Sequence, residues 1–177
     1  MFDLVVRKAN LQDGTEGIDI ACKNGSIIEV GKNLGGETQL EIDATGRLVT
    51  PPFVDAHFHM DAALTHGNPR INESGELYEG INLWADLKPQ LTEEDVKERA
   101  LHYCRWAVAQ GTLALRCQTD VCEPRLIQAQ ALVDVREQMK PYLDLQLVAF
   151  PQDGFYRYEG GRELVAAPVA MGFAVVG

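Results

Sequence analysis

Histidine is scarce in this chain, with four in 177 residues, and several other features are missing altogether. No apolar run approaches the roughly 20 residues needed to cross a bilayer. There is no excess of basic charge: 16 Lys and Arg stand against 26 Asp and Glu, a net charge of −10. A surface of that sign repels phosphate backbones and anionic lipid, so nucleic acid and membrane surfaces are poor partners. The four cysteines, Cys22, Cys104, Cys117 and Cys122, show no CxxC spacing. A disulfide framework is not expected in a chain this long without a secretion signal. Cys117 and Cys122 have no partners at zinc-finger spacing and read as buried thiols. Met1–Arg7 lacks a basic stretch followed by an apolar one, so the expected compartment is cytoplasmic. Internal repeats and low-complexity segments are absent too. What remains, 46% hydrophobic and 24% charged residues, is the composition of an ordinary globular protein.

The first 50 residues or so read as strands and turns. Residues 3–7 are apolar and β-prone, and residues 18–22 alternate between two faces. Asn24-Gly25 supplies the two positive φ angles of a tight hairpin turn, after which residues 26–31 return. Residues 39–43 form another short strand. From residue 48 the pattern becomes strand, helix, strand, helix, which calls for a parallel sheet with helical crossovers. Leu48–Phe53 reads as a buried strand and residues 61–90 as a long loop. Thr92 is placed to cap a helix, with Glu93, Glu94 and Asp95 opposing its dipole. Val96, Ala100, Tyr103, Cys104 and Ala107 share one face of that helix, and Gly111 stops it. Residues 112–117 form a strand. Glu123-Pro124 opens a helix that Pro141 ends. Residues 144–150 form the next strand, and 161–171 a helix that Pro168 should kink or shorten. Residues 173–177 begin a fourth strand.

His57 and His59 follow the first of these strands, in Val54-Asp55-Ala56-His57-Phe58-His59. Side chains two apart in extended backbone point the same way. The pair therefore aims two imidazoles at one point near the carboxyl end of a strand, where α/β sheets and barrels place their sites. That is half of a divalent metal site. Taken alone, the two read more readily as ordinary strand-end histidines.

Three segments carry a resemblance: residues 51–61, PPFVDAHFHMD; residues 75–81, GELYEGI; and residues 144–154, DLQLVAFPQDG. With them the chain resembles the amidohydrolase superfamily, and within it the cytosine deaminase-like group. The resemblance implies an α/β fold: an N-terminal β-sandwich segment over residues 1–49, then the first three to four β/α units of a TIM-like (β/α)8 barrel over residues 50–177. It implies that His57 and His59 are the metal pair of the first barrel strand, for one divalent ion, zinc or iron. It implies that Gln152 contacts the ring edge of the substrate and that Leu77 lines the pocket. The reaction it implies is hydrolytic removal of an amine from a small nitrogen heterocycle, by a water that the metal activates. The chemistry is coherent, because a metal lowers the pKa of bound water from about 15.7 toward roughly 7. A side-chain amide such as Gln152 also reads the donor and acceptor edge of a planar heterocycle. The alternatives are ring-amide hydrolysis of the hydantoinase or dihydroorotase kind and a non-catalytic remnant or assembly piece.

The chain departs from the family at three points. Residues 50–177 are too few for a closed barrel, which takes about 250 residues and at least about 200. The family's strand-five His, acid–base pair and strand-eight Asp therefore have no counterparts in these residues, and none of them is assigned a catalytic acid–base role. Gln118 stands where the group usually carries a His, and Pro168 interrupts a helix the family keeps regular. The expectation is an N-terminal portion that does not deaminate by itself and that associates with itself or a complementary chain. Asp55 and Asp61 read either as partners that orient the imidazoles or as solvated turn residues, and Asp120 as a support on the same face. His66 reads as solvated, His102 as surface or packing, and Trp84 and Trp106 as packing anchors.

Overall fold

Alternating apolar residues at the start of the chain build a sheet with one covered face. The computed structural model describes residues 1–177, which divide into two units, Met1–Pro51 and Pro52–Gly177. In the first, β1 (Phe2–Ala9), β2 (Ile18–Lys23), β3 (Ser26–Gly31) and β4 (Thr38–Asp43) lie in the order β3-β2-β1-β4. β1 runs antiparallel to β2 and parallel to β4. The β2–β3 turn has φ of 52° at Asn24 and 73° at Gly25, the left-handed pair a tight hairpin demands. Ala9, Ile18, Ile20 and Ala44 form the buried cluster. Ile27, Val30, Leu40 and Ile42 are exposed.

The second unit carries β5 (Phe53–Phe58), β6 (Thr112–Asp120), β7 (Asp144–Phe150) and β8 (Val175–Val176), parallel and adjacent in that order. Helices α1 (Leu77–Leu87) and α2 (Glu93–Ala109) connect β5 to β6. α3 (Ile127–Met139) and α4 (Gly161–Ala170) make the next two crossovers. Leu115, Leu145 and Leu147 from the strands bury against Ala100 and Cys104 of α2, Leu132 and Val135 of α3, and Val165 of α4. Each such leucine contributes about 1.5–3 kcal/mol by leaving water. The Thr92 hydroxyl accepts the Asp95 N–H at 3.2 Å, which satisfies one of the free donors at the start of α2. Gly161 opens α4 where only glycine fits, since a Cβ there would lie 2.6 Å from the Phe155 carbonyl oxygen.

Several expectations are corrected. Leu48–Phe53 is not a buried strand: Leu48 is exposed and β5 starts at Phe53, itself an exposed edge residue. The stretch of residues 61–90 is not all loop, because it contains α1. Gly80 and Asn82 lower the intrinsic helicity of that segment. Burial of Leu83 and Leu87, one turn apart on one side, offsets this. α3 opens at Ile127 rather than at Glu123-Pro124. Arg125 is tied back to the Lys88 carbonyl at 2.9 Å, and Leu126 turns left-handed with φ 52°, so residues 121–126 serve the loop instead. Pro168 does not cut α4 short, since the helix continues to Ala170. It lies in the last turn, so only the end of the helix loses a hydrogen bond, and its carbonyl accepts from the Met171 and Phe173 N–H groups at 2.9 and 3.1 Å. The last strand is two residues long rather than five.

Candidate metal and substrate site

β5 sorts its side chains by parity. Phe58 stacks on the Tyr103 ring of α2, centroids 4.1 Å apart and nearly parallel at 9°. His57 and His59 take the other parity, and their rings meet edge to face with centroids 5.4 Å apart. The ring of Phe150, the last residue of β7, meets that of His59 nearly at right angles, centroids 5.3 Å apart. His57 is exposed and His59 half-buried. Burial lowers the His59 pKa, and the neighbouring His57 lowers it further, against the opposing pull of Asp120 and the Gln118 main chain. A neutral imidazole is the form that binds a metal.

The aspartates near the pair brace its backbone. Asp55 accepts the His57 main-chain N–H at 3.2 Å and the Tyr103 hydroxyl at 3.4 Å. Asp61 is fully buried in the turn after His59, so it is not a solvated turn residue. Its carboxylate accepts the Asp120 N–H at 2.7 Å and the Ala62 N–H at 3.0 Å. Burial is the main reason its pKa rises to about 7; the Asp120 N–H pulls it down and the Asp120 charge pushes it back up. Arg99 of α2 holds the same turn by donating to the Asp61 and Ala63 carbonyls at 2.9 and 2.7 Å.

Gln118 lies inside β6 and is buried. With its carboxamide oriented to satisfy both atoms, the nitrogen donates to the Arg116 and Phe58 carbonyls at 3.1 and 3.2 Å. It thus ties β6 to the end of β5. Gln152 is half-buried two residues beyond Phe150, and its main-chain N–H donates to the Phe150 carbonyl at 3.0 Å. Leu77 sits at the first position of α1 and is 76% exposed; these residues give it no enclosed pocket to line. His66 is exposed, and His102 packs edge-on against Trp106. All four cysteines are free, and Cys104, Cys117 and Cys122 are buried. Burial pushes the Cys104 and Cys117 thiols up to about 12, which suits inert packing groups.

One buried charged neighbour was invisible in the sequence. Lys88, just after α1, is buried and reaches Asp120 and Asp153 at 3.0 and 2.8 Å. Trp84, expected only to pack, donates its indole N–H to Asp120 at 2.8 Å.

The donor set fits a divalent ion in part. Two imidazoles of one parity, one of them held toward its neutral form, are suitable ligands. No group of three His, Cys, Asp or Glu side chains gathers at one point, whereas catalytic zinc takes three protein ligands.

A parallel α/β sheet with an HxH pair at the carboxyl end of its first strand is the pattern of a metal-dependent hydrolase barrel. A model of the amidohydrolase family matches residues 40–174, and the chain belongs to that family. The 5-methylcytosine deaminase from Klebsiella pneumoniae, crystallised with 5-fluorocytosine, superposes with a TM-score of 0.91 at 38% identity, over 98% of this chain and 42% of that one. The N-isopropylammelide isopropyl amidohydrolase of Pseudomonas sp. (strain ADP) is 31% identical over 185 residues, 99% of this chain and 45% of its own length. The allantoinase of Salmonella gallinarum is 43% identical, but over 61 residues, 33% of this chain and 13% of its own. The chain thus spans less than half the length of these relatives. No helix is long and apolar enough to cross a membrane.

Proposed function

We propose that this chain is the amino-terminal portion of a metal-dependent aminohydrolase that removes an amine from a small nitrogen heterocycle of the cytosine or ammelide kind. In this reading β5 to β8 are the first strands of a (β/α)8 barrel. His57 and His59 supply part of the ligand set for one zinc or iron ion, and imidazole suits both. The ion would supply acidified water at neutral pH. Gln152 offers its amide to the ring edge, and Leu77 lines the pocket once further strands enclose it. Phe150 excludes water from one side of His59, and Asp55 and Asp61 fix the main chain on which the imidazoles stand.

The observation that carries the proposal is the histidine pair at the end of β5, in a chain that superposes along its whole length on a deaminase. The likeness to allantoinase is confined to 61 residues, which favours amine removal over ring opening. The test is ammonia release from a panel of pyrimidines, triazines and cyclic ureides. The 177 residues alone should release none, because they hold only two ligands. Joined by a polypeptide that completes the barrel, they should release ammonia from the aromatic rings. Ring opening of the ureides without ammonia would establish the hydantoinase-like alternative instead.

A non-catalytic assembly piece is the second reading, favoured by the absence of any three-ligand cluster. Either way the exposed Phe53 and Val54 of β5 call for a covering partner. We take that partner to be a second copy or a complementary chain, in the cytoplasm. A monodisperse monomer in sedimentation would count against association.

A further inference from the structure

Lys88 has no part in the chemistry outlined above, yet it is the most fully engaged cation in the unit. An ammonium has three N–H donors and no acceptor. Here three acceptors meet it: Asp120 Oδ2 at 3.0 Å, Asp153 Oδ2 at 2.8 Å and the Cys122 carbonyl at 3.2 Å. The Lys88 side chain is 8% exposed and that of Asp120 1%. Burial alone would favour the neutral amine, but Asp153 and Asp120 outweigh it and raise its pKa, so the group stays charged.

The acceptors stand at the ends of two neighbouring strands, β6 and β7. Asp120 closes β6, and its main-chain N–H is held by Asp61, in the turn after His59. Its second oxygen accepts the Cys122 N–H at 2.8 Å, which bends the loop after β6 back on itself. Asp153 lies in the loop after β7, one residue beyond Gln152. The main chain before Gln152 is already fixed, because the Phe150 carbonyl accepts from both Gln152 and Val121 at 3.0 Å. The ion pair fixes the other side. Gln152 is therefore held between an anchored strand end and an anchored carboxylate.

We propose that Lys88 is a positioning residue that sets the orientation of Gln152 toward the substrate ring, by clamping Asp153 against Asp120. The inference rests on the reading of Gln152 as the ring-edge contact. Lys88 need not touch substrate. Its compact charge and three donors match three acceptors on two loops, a geometry that neither a planar guanidinium nor a thioether reproduces.

The test uses the 177-residue chain labelled with nitrogen-15, following the side-chain amide of Gln152 and main-chain amide exchange. The variants are Lys88→Met and the milder Asp153→Asn, whose side chain is 32% exposed in the ion pair and which keeps an acceptor while losing the charge. Lys97→Met, in an exposed pair with Asp134, is the control. In both test variants the Gln152 amide should move to the position of a free glutamine. In Asp153→Asn, exchange at residues 152–154 should quicken by about tenfold or more while the β6 and β7 amides stay nearly unchanged. Lys88→Met, which also lowers the stability of the whole unit, is read by the Gln152 signal alone, and if it does not fold, Asp153→Asn decides. An unmoved Gln152 signal, or equal acceleration throughout β6 and β7 in Asp153→Asn, overturns the clamp. Addition of cytosine to the chain joined to a polypeptide that completes the barrel separates this inference from the reading beneath it. There the Gln152 amide should shift in the unmodified protein and not in Asp153→Asn. If the clamp is intact but cytosine produces no shift, the substrate role of Gln152 fails, and the positioning role fails with it.

Discussion

Each unit has a buried carboxylate held by a cation and by main-chain N–H donation, Asp19 in one and Asp120 in the other, and the two arrangements differ in what they hold. In the β-rich unit Asp19 is 4% exposed and accepts from Arg7 at 2.9 Å, the Lys8 N–H at 2.9 Å and the Leu34 N–H at 3.0 Å. Arg7 in turn reaches Glu41 and the Leu34 carbonyl. All these partners belong to strands of one sheet or to the loop beside it, so the cluster ties a sheet together. In the α/β unit Lys88 draws on a loop after a helix and on the loops after two parallel strands, next to the proposed site. The same chemistry ties a sheet together in one place and joins loops in the other. The lesson lies in the exposure of the cation. The Arg7 side chain is 20% exposed and can turn to water if its partner is lost. Lys88 and Asp120 cannot.

Breaking the Lys88 cluster should therefore have the largest effect. Lys88→Met leaves Asp120 buried without its counter-charge, which costs about 3–5 kcal/mol, toward the lower end because Asp153 keeps some water. Denaturant unfolding of the second unit measures it. Asp19→Ala should cost less, about 1–3 kcal/mol, since two N–H donors lose their acceptor while Arg7 is rehydrated. Equal losses in the two variants would erase the distinction between the clusters.

The two should also fail at opposite ends of the pH scale. Burial opposes ionisation of Asp19, but the Lys8 N–H, Arg7 and the Leu34 N–H overcome it and hold its pKa below 3.8. Its contribution is then complete above 3.8 and disappears as pH falls through the lower folded value. Lys88, raised above 10.5, contributes fully below that value and loses its contribution as pH climbs through the folded one. Asp19→Ala should flatten the acid limb of the stability profile, and Lys88→Met the alkaline limb. The smallest effect belongs to Lys97→Met. Its pair with Asp134 lies at the surface, and its removal should leave the denaturation midpoint nearly unchanged.

What could be read in the sequence was what short stretches of chain decide alone. Asn24-Gly25 announced its hairpin, and Thr92 with its three acidic followers announced α2. β7 was found at its observed limits because Pro141 and Pro151 bracket an apolar run. The histidine pair was legible because strand parity is local. α1 was not, since Gly80 and Asn82 argue against a helix that Leu83 and Leu87 secure by burial. Its entry is also stapled by Glu79, which accepts from Ser74, the Glu73 N–H and Arg70. Those contacts hold the Glu79 pKa down to about 2. Lys88 was missed for a more basic reason. Its partners lie 34 and 65 residues further along the chain, and no local pattern records a pairing at that distance. Asp61 was left open between a supporting partner and a solvated turn residue, because its burial depends on β6 arriving beside it.

The central claim is that His57 and His59 act together on one divalent ion. Zinc titration of the metal-free chain, by calorimetry, tests it most directly when repeated on His57→Ala and His59→Ala. The account predicts one equivalent bound by the unmodified chain and a loss of affinity of at least about tenfold in each variant, no smaller than the loss on removing a residue that merely supports a ligand. Zinc binding that survives unchanged in both variants, or that depends on only one of the two histidines, would contradict it.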